Sequence, residues 1–166
     1  SFRHSSIYQG KRALLELGQL HGFKVDTTED ADFFQEGVLK QYNVVVFLNT
    51  TGDVLDEAQQ LEFNRFIQAG GGYIGIHAAA DTEYDWAWYG KLVGAYFNGH
   101  PNDPNVREGR IQRIDASHIS TSHLPDSWTR EDEWYNYKDI NPEIKVLLNL
   151  DETSYEGGTN LSLIHI

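Results

Sequence analysis

Apolar residues near the start of the chain recur with the spacing of a helix. The stretch 6–21 places one apolar stripe along a helical surface, and Gly22 follows it. Ser5 or Ser6 supplies a hydroxyl suited to cap its first turn. The pattern predicts a helix over residues 6–21 whose buried face consists of Ile7, Leu14 and Leu17, widened by Ala13, Leu15 and Leu20.

Short apolar runs follow and alternate with a second helical pattern. Residues 42–48, YNVVVFL, are typical of a strand buried on both faces of a parallel sheet, and residues 73–76, YIGI, form a similar run. Residues 23–27, FKVDT, predict a shorter strand. Between the runs, Asp56 and Gln59 have the spacing of a capping box, and the helix after them ends at three glycines. Its predicted buried face is Leu61, Phe63, Phe66 and Ile67. Helices alternating with strands predict a doubly wound α/β fold with a parallel sheet.

The second half is less regular. It predicts a short helix at 86–94, a polar loop at 99–108, and strands at 110–114 and 144–150 with a long insertion between them. No repeat or linker interrupts the pattern, so a single domain is expected over residues 1–160. The chain opens on a polar loop where a doubly wound fold would just have left its first strand, so that strand is expected to be missing. Residues 161–166 are expected to be a non-native tail.

Composition narrows the classes of partner. The net charge of −12 argues against nucleic acid and anionic lipid, because Lys and Arg carry most phosphate binding. No apolar run is long enough to span a membrane. The absence of cysteine excludes disulfides, thiolate metal sites and cysteine nucleophiles. Neither localisation nor a homo-oligomeric state follows from these features.

Polar segments follow the predicted strands, at the sheet edge where open α/β folds bind ligands. They are residues 2–6, 49–53 and 77–81. In the last of these, GIHAA has the spacing of a nucleophile elbow, with His77 at its centre. Histidine there suits a base, an acid or a metal ligand better than a nucleophile. If an α-helix follows, Asp81 shares a face with His77. The alternative is a hydrogen-bonded structural histidine.

Further candidates lie downstream. His100, in NGHP, is a candidate to complete a site with His4 and His77, although three scattered histidines do not form a recognised metal motif. Aromatic residues next to carboxylates and amides are typical of sugar sites, and core packing is the alternative for each ring. They are Glu133 to Tyr137 with Trp86, Trp88 and Tyr89. No glycine-rich phosphate loop is present, so no nucleotide cofactor is expected.

Several segments in order resemble the ThuA-like (trehalose utilisation) family, whose fold is similar to class I glutamine amidotransferases. They are FRHSSI, VVVFLNTTGDVL, GGGYIGIHAAADTEYDWAWYGKLVGAYFNGHP and DEWYNY, and the resemblance covers residues 2–158. It implies a flavodoxin-like domain in which histidine replaces the amidotransferase cysteine, which excludes glutaminase chemistry. The family is associated with bacterial use of trehalose and related disaccharides, alongside dehydrogenases that make keto-sugars. Its pocket motifs fall on His4, Thr51, Gly52, Asp53, His77, Asp81, His100, Glu133 and Tyr135.

The resemblance implies a domain that binds a disaccharide or keto-sugar, with His77 and Asp81 as acid and base. Thr51, Gly52, Asp53 and Tyr135 would then contact the sugar, while His4, His100 and Glu133 orient the sugar or a divalent metal such as zinc, for which the candidate ligands are His4, His77 and His100. An enzyme of this kind would modify or hydrolyse sugars without a cysteine or serine nucleophile. The alternative is a non-catalytic sugar-binding or interaction module. An FMN-binding flavodoxin is disfavoured by the missing phosphate loop. The family pattern also leads one to expect a further His-Pro and a closing strand after YEGG, where LSLIHI stands.

Overall fold

The computed structural model describes residues 2–158 and the backbone of residues 163–165. The chain divides into two compact units, residues 1–86 and 87–166. The first contains α1 (Ile7–His21), α2 (Glu36–Leu39), β1 (Val44–Leu48), α3 (Glu57–Gln68), β2 (Gly72–Ile76) and two 3₁₀ turns, Ala31–Phe33 and His77–Asp81. The second contains α4 (Ala87–Val93), β3 (Tyr96–Phe97), β4 (Val106–Arg113), β5 (Ser127–Glu133), β6 (Tyr137–Lys138), β7 (Val146–Asp151), a 3₁₀ turn at Glu152–Ser154 and β8 (Leu163–His165). None of the helices in the described part of the chain combines the length and apolar character needed to cross a membrane.

A parallel pair of strands is at the centre of the first unit. β1 and β2 run side by side from the pair Val44 and Gly72 to the pair Leu48 and Ile76, which confirms both predicted strands and their direction. The strand predicted over residues 23–27 is wrong, since this segment joins no ladder in the described structure. Phe23 is 50% exposed, so the segment buries too little apolar surface to be ordered as a strand.

Helix α1 confirms the predicted bounds but only part of the predicted buried face. It ends at Gly22, whose φ of 77° is left-handed, as a helix-ending glycine requires. Leu17 and Leu20 are 44% and 75% exposed, whereas Gly18 is buried. A Cβ atom at Gly18 would lie 2.7 Å from the carbonyl oxygen of Phe23. The chain that follows α1 therefore folds back closely onto Gly18, and of the predicted face Ile7 and Leu14 are half-buried while Leu17 and Leu20 are exposed.

Helix α3 has the capping box that the sequence predicts. The Asp56 carboxylate accepts a hydrogen bond from the Gln59 backbone N–H, and the Gln59 side chain accepts one from the Asp56 N–H, both at 2.9 Å. Phe63 of this helix is fully buried and stacks on Phe47 of β1 with ring centroids 5.4 Å apart. Leu61, predicted to be buried, is 51% exposed. Phe34 and Tyr73 contact both of these rings, so an aromatic cluster between helix and strands contributes to the core of the unit.

The second unit contains an antiparallel sheet in the order β5-β4-β7-β8. Strands β4 and β7 confirm the two strands predicted in this half, and α4 confirms the short helix. Strand β5, SWTREDE, and the short pair β3–β6 were not predicted. Of the seven residues in β5, only Trp128 is apolar, so its order comes from pairing with β4 rather than from a pattern of its own. Ile111, Leu148 and Leu150 form the apolar core beneath this sheet.

The predicted α/β class with parallel strands is confirmed. The antiparallel strands of the second unit were not part of that prediction. Residues 163–165 of the expected tail pair with β7, while 161, 162 and 166 lie outside the described residues. The expectations of a single domain and of a non-native tail stay predictions.

Candidate functional site

His77 lies directly after β2, at the elbow that the GIHAA spacing predicts. Its φ is 53°, so the chain turns sharply through the left-handed region before the 3₁₀ turn His77–Asp81. A Cβ atom at Gly75 would lie 3.1 Å from the Cβ atom of Ala79, and only glycine allows this approach of the strand to the turn. The local geometry is therefore that of an elbow with an imidazole at its corner.

The turn after His77 has 3₁₀ rather than α-helical geometry. With three residues per turn, Ala80 rather than Asp81 returns above His77, so the shared face expected for an α-helix does not form. The Asp81 carboxylate accepts a hydrogen bond from the Tyr84 hydroxyl at 2.6 Å. The roles of His77 and Asp81 as acid and base stay predictions.

His4 lies against His77. The two ring centroids are 4.8 Å apart at an interplanar angle of 73°, and both residues are half-buried. The Phe2 ring contacts the other side of His4 at the same centroid distance, edge to face. Within the first unit, the structure therefore brings the predicted histidines His4 and His77 together.

The segment that carries His4 is fixed by polar contacts on both sides. Arg3 donates two hydrogen bonds to Glu29, at 2.8 and 3.0 Å, and the Thr51 hydroxyl donates to the Phe2 carbonyl at 2.6 Å. The hydrogen bonds from Arg3 and then Lys11 lower the pKa of Glu29 to about 2, so its carboxylate is ionised at neutral pH. These contacts hold the His4 imidazole in place beside the elbow.

Asn49 occupies the end of β1, level with His77 at the end of β2. Its φ is also 53°, and its N–H donates to the Ile76 carbonyl at 3.2 Å. The Asn49 amide nitrogen donates to the Ser6 hydroxyl at 2.9 Å, while its amide oxygen is buried with no hydrogen-bond partner among the described residues. The Ser6 side chain therefore does not cap α1 as predicted, because it contacts Asn49 instead.

The predicted substrate-binding loop after β1 runs alongside the elbow turn. Gly52 donates its N–H to the Asp81 carbonyl at 2.8 Å and accepts the Glu83 N–H at 3.2 Å, so both of its backbone groups are engaged within the unit. Thr51 is buried and Asp53 is exposed. The loop is therefore positioned by the elbow segment, as expected for two strand ends at one sheet edge.

Glu83 is a buried acid that the sequence did not reveal. Its side chain is 1% exposed and accepts hydrogen bonds from the N–H groups of Val54 and Leu55, both at 2.8 Å, and from the Gln60 amide at 2.7 Å. Its backbone φ is 55°. In the sequence it is one acid among 25 Asp and Glu residues, and no spacing rule distinguishes it.

The second unit contains another pair of predicted site residues, His100 and Glu133. The Nδ1 atom of His100 lies 2.9 Å from the Pro101 carbonyl oxygen, which can only accept, so this contact assigns the proton to Nδ1. Nε2 then faces the Glu133 carboxylate at 3.6 Å, and Asn105 donates to that carboxylate at 3.0 Å. The two facing atoms are both acceptors when the imidazole is neutral, and they form an ion pair only when Nε2 is also protonated.

The aromatic residues of the second unit mostly pack against one another. Tyr135 is 5% exposed, and its ring lies 4.2 Å from that of Phe97 and nearly parallel to that of His100. Tyr89 is fully buried. Burial raises the pKa of the Tyr137 hydroxyl to about 12. For Tyr89 and Tyr135, core packing describes the ring better than a stacking platform for a sugar does.

A family model described as trehalose utilisation, ThuA, matches residues 1–163. The chain belongs to the ThuA family. This match confirms the family on which the sequence interpretation rested, and it extends through both compact units. The site residues predicted from the resemblance, which stay predictions, fall on the elbow and His4 segments of the first unit and on the His100 and Glu133 segments of the second.

Solved structures of ThuA-like proteins show the same fold. A ThuA-like protein from Bacteroides uniformis is 26% identical with a TM-score of 0.79, and the match covers 100% of this chain and 70% of that protein. A ThuA-like protein from Parabacteroides merdae is 18% identical with a TM-score of 0.70, and that match covers 98% and 69% of the two chains. The search of curated proteins found no match.

Proposed function

We propose that this ThuA-family chain acts in bacterial carbohydrate utilisation by binding trehalose, a related disaccharide or its keto form at the carboxyl ends of β1 and β2. The observation that carries the proposal is the elbow, where His77 stands in a left-handed backbone conformation with the His4 ring 4.8 Å away. Such strained positions cluster at functional sites. The family description supplies the substrate class.

His77 would act as an acid or base in this proposal. A neutral imidazole can take a proton from a sugar hydroxyl or from water and return it to a leaving oxygen. Acyl transfer through a thiol is excluded, because the chain has no cysteine. The Asp53 carboxylate, which is exposed on the loop after β1, is of the type that accepts hydrogen bonds from sugar hydroxyls.

A divalent metal such as zinc fits the His4 and His77 pair. One ring nitrogen of His4 and one of His77 lie within 4.8 Å of each other, and rotation of the rings could bring them to the roughly 3.4 Å that separates two nitrogen ligands of a tetrahedral zinc ion. His4 and His77 would hold the ion, which would polarise a sugar oxygen or lower the pKa of a bound water. Metal assistance is a part of the proposal that can fail while sugar binding stands.

The test combines binding, turnover and metal content. Trehalose would be titrated calorimetrically into the wild type, His77→Ala and His21→Ala, the last a control at the exposed end of α1. Turnover of trehalose and its keto derivative would be followed by chromatography, and zinc by elemental analysis. We expect wild-type binding, unchanged in the His21→Ala control, and turnover that His77→Ala abolishes. Absence of both binding and turnover with these sugars would refute the proposal.

A non-catalytic sugar-binding module is the second candidate. The observation that favours it concerns Asp81, the predicted partner of His77. Its carboxylate accepts a hydrogen bond from Tyr84, and the 3₁₀ geometry of the turn does not place it on the same face as His77. Sugar binding that survives His77→Ala, with no turnover in the wild type, would support this candidate over an enzyme.

A further inference from the structure

We propose that Glu83 is a positioning residue of the sugar site, whose carboxylate holds the loop 50–55 in register with the elbow at His77. The inference rests on the proposed function, since that loop carries the predicted sugar contacts Thr51, Gly52 and Asp53. It concerns a residue that was not among the predicted site residues, although it lies in the segment that contains GIHAAAD.

The Glu83 carboxylate supplies the acceptors that the loop requires. A buried carboxylate is costly unless it is hydrogen-bonded, and buried backbone N–H groups likewise require partners. One carboxylate oxygen accepts from both Val54 and Leu55, and the other accepts from the Gln60 side chain. A single side chain thus ties the end of the loop and the first turns of α3 to the elbow segment.

The loop and the elbow segment continue the pairing of β1 with β2 beyond the strands. Asn49 donates to Ile76, Gly52 forms a parallel bridge with Thr82, and the Thr82 hydroxyl donates to the Thr50 hydroxyl at 2.9 Å. Glu83 makes the last of these connections before the capping box of α3. Loss of the Glu83 carboxylate would therefore release loop 50–55 at its end farther from the sheet.

The backbone of Glu83 supports the same role. A glutamate rarely adopts a φ near 55°, and such conformations persist only where the surroundings over-determine them. Here the Glu83 N–H bond to Gly52 and the three side-chain bonds fix one conformation. A buried acid in a strained conformation is better explained by precise placement of the loop than by stability alone.

Two conservative substitutions at Glu83 separate the effect of side-chain length on its hydrogen bonds from the effect of its charge. Glu83→Gln keeps the side-chain length and one acceptor oxygen, and the Gln60 amide can rotate to accept from the new amide nitrogen. Glu83→Asp keeps the charge but is one methylene shorter, and Asp adopts left-handed φ more readily than Glu. If the carboxylate positions the loop through hydrogen bonds, Gln preserves the site and Asp does not.

Hydrogen exchange of the Val54 and Leu55 amides, with the ring-proton shifts of His77, reads the positioning directly. In Glu83→Asp we expect exchange at these amides about tenfold faster or more, a shifted His77 ring, and unchanged exchange in β1. In Glu83→Gln we expect the wild-type pattern. The opposite order, with Asp intact and Gln altered, would overturn the inference in favour of a charge effect. Unchanged exchange and shifts in both variants, or changes in both, would also overturn it.

Trehalose titration of the same variants links the positioning to the site. We expect Glu83→Gln to bind within about twofold of the wild type and Glu83→Asp at least about tenfold more weakly, because the loop contacts are lost. Equal trehalose affinity in all three proteins would overturn the role of Glu83 in the site. If the wild type binds no sugar, the proposed function fails for that sugar, while the exchange and ring-shift results still decide whether Glu83 positions the loop.

Discussion

The backbone of His77 lies in the left-handed region, where a side chain with a Cβ atom is strained. Glycine tolerates this conformation, whereas alanine does not. We therefore expect His77→Gly to be more stable than His77→Ala by about 1 kcal/mol. Urea denaturation measures the difference, because both variants remove the imidazole equally.

The half-exposed residue Leu61, in the middle of α3, is the matched control for His77. In a helix interior, alanine is favoured over glycine by about 1 kcal/mol, so Leu61→Ala should be more stable than Leu61→Gly. The same order at both positions would contradict a strained elbow at residue 77.

The raised pKa of Tyr137 predicts that the protein loses stability at alkaline pH. Its pKa is raised to about 12 in the folded protein, against about 10 in an unfolded chain. The stabilisation from its buried neutral hydroxyl is fully present below about pH 10 and is lost as the pH rises towards about 12. The free energy of unfolding should therefore decrease between pH 9.5 and 11.5, roughly, by up to about 2 kcal/mol from this residue.

Tyr137→Phe tests the assignment of that alkaline slope. This variant cannot ionise at position 137, so its free energy of unfolding should decrease less steeply over the same pH range. Urea denaturation at several pH values measures both slopes. Identical slopes in the two proteins would show that Tyr137 does not carry the effect.

The capping box is the best-defined feature at the level of a single element. Asp56→Ala removes a side-chain acceptor from the first turn of α3 and should lower the free energy of unfolding by about 1 kcal/mol. Gln59→Ala removes the reciprocal bond. Because the two bonds form one unit, the double variant should cost less than the sum of the single ones. Strict additivity in denaturation experiments would contradict a cooperative box.

Elements with strong local patterns could be predicted from the sequence, and elements ordered by their partners could not. Burial and local hydrogen bonds determine β1, β2 and α3, so two apolar runs and one capping box were sufficient to predict these elements. Strand β5 was missed because its charged sequence has no apolar alternation and its order depends on β4. The buried face of α1 was predicted only in part, because periodicity weighs apolar side chains such as Leu17 and gives no weight to the buried Gly18.

At the scale of the molecule, the placement of the site in the first unit followed from the α/β class. Strand ends in a parallel sheet meet at one edge, so residues 49–53 and 77–81 could be expected to lie together. The contact of His4 with His77 could be expected on the same ground, since residues 2–6 were also predicted to lie at that edge. Glu83 could not be predicted, because its role arises only when two loops fold against each other.

The packing of helix α1 also predicts which of its residues should vary among related proteins. At Gly18 the nearest neighbour of an added side chain would be a main-chain atom, the carbonyl oxygen of Phe23. A larger residue would push these two segments apart, and no change in a neighbouring side chain could restore their close contact. The outward leucines Leu17 and Leu20 carry no such restriction. Among relatives that share this helix, the inward small residue should therefore be retained while the large apolar residues vary, the reverse of the usual pattern for an amphipathic helix.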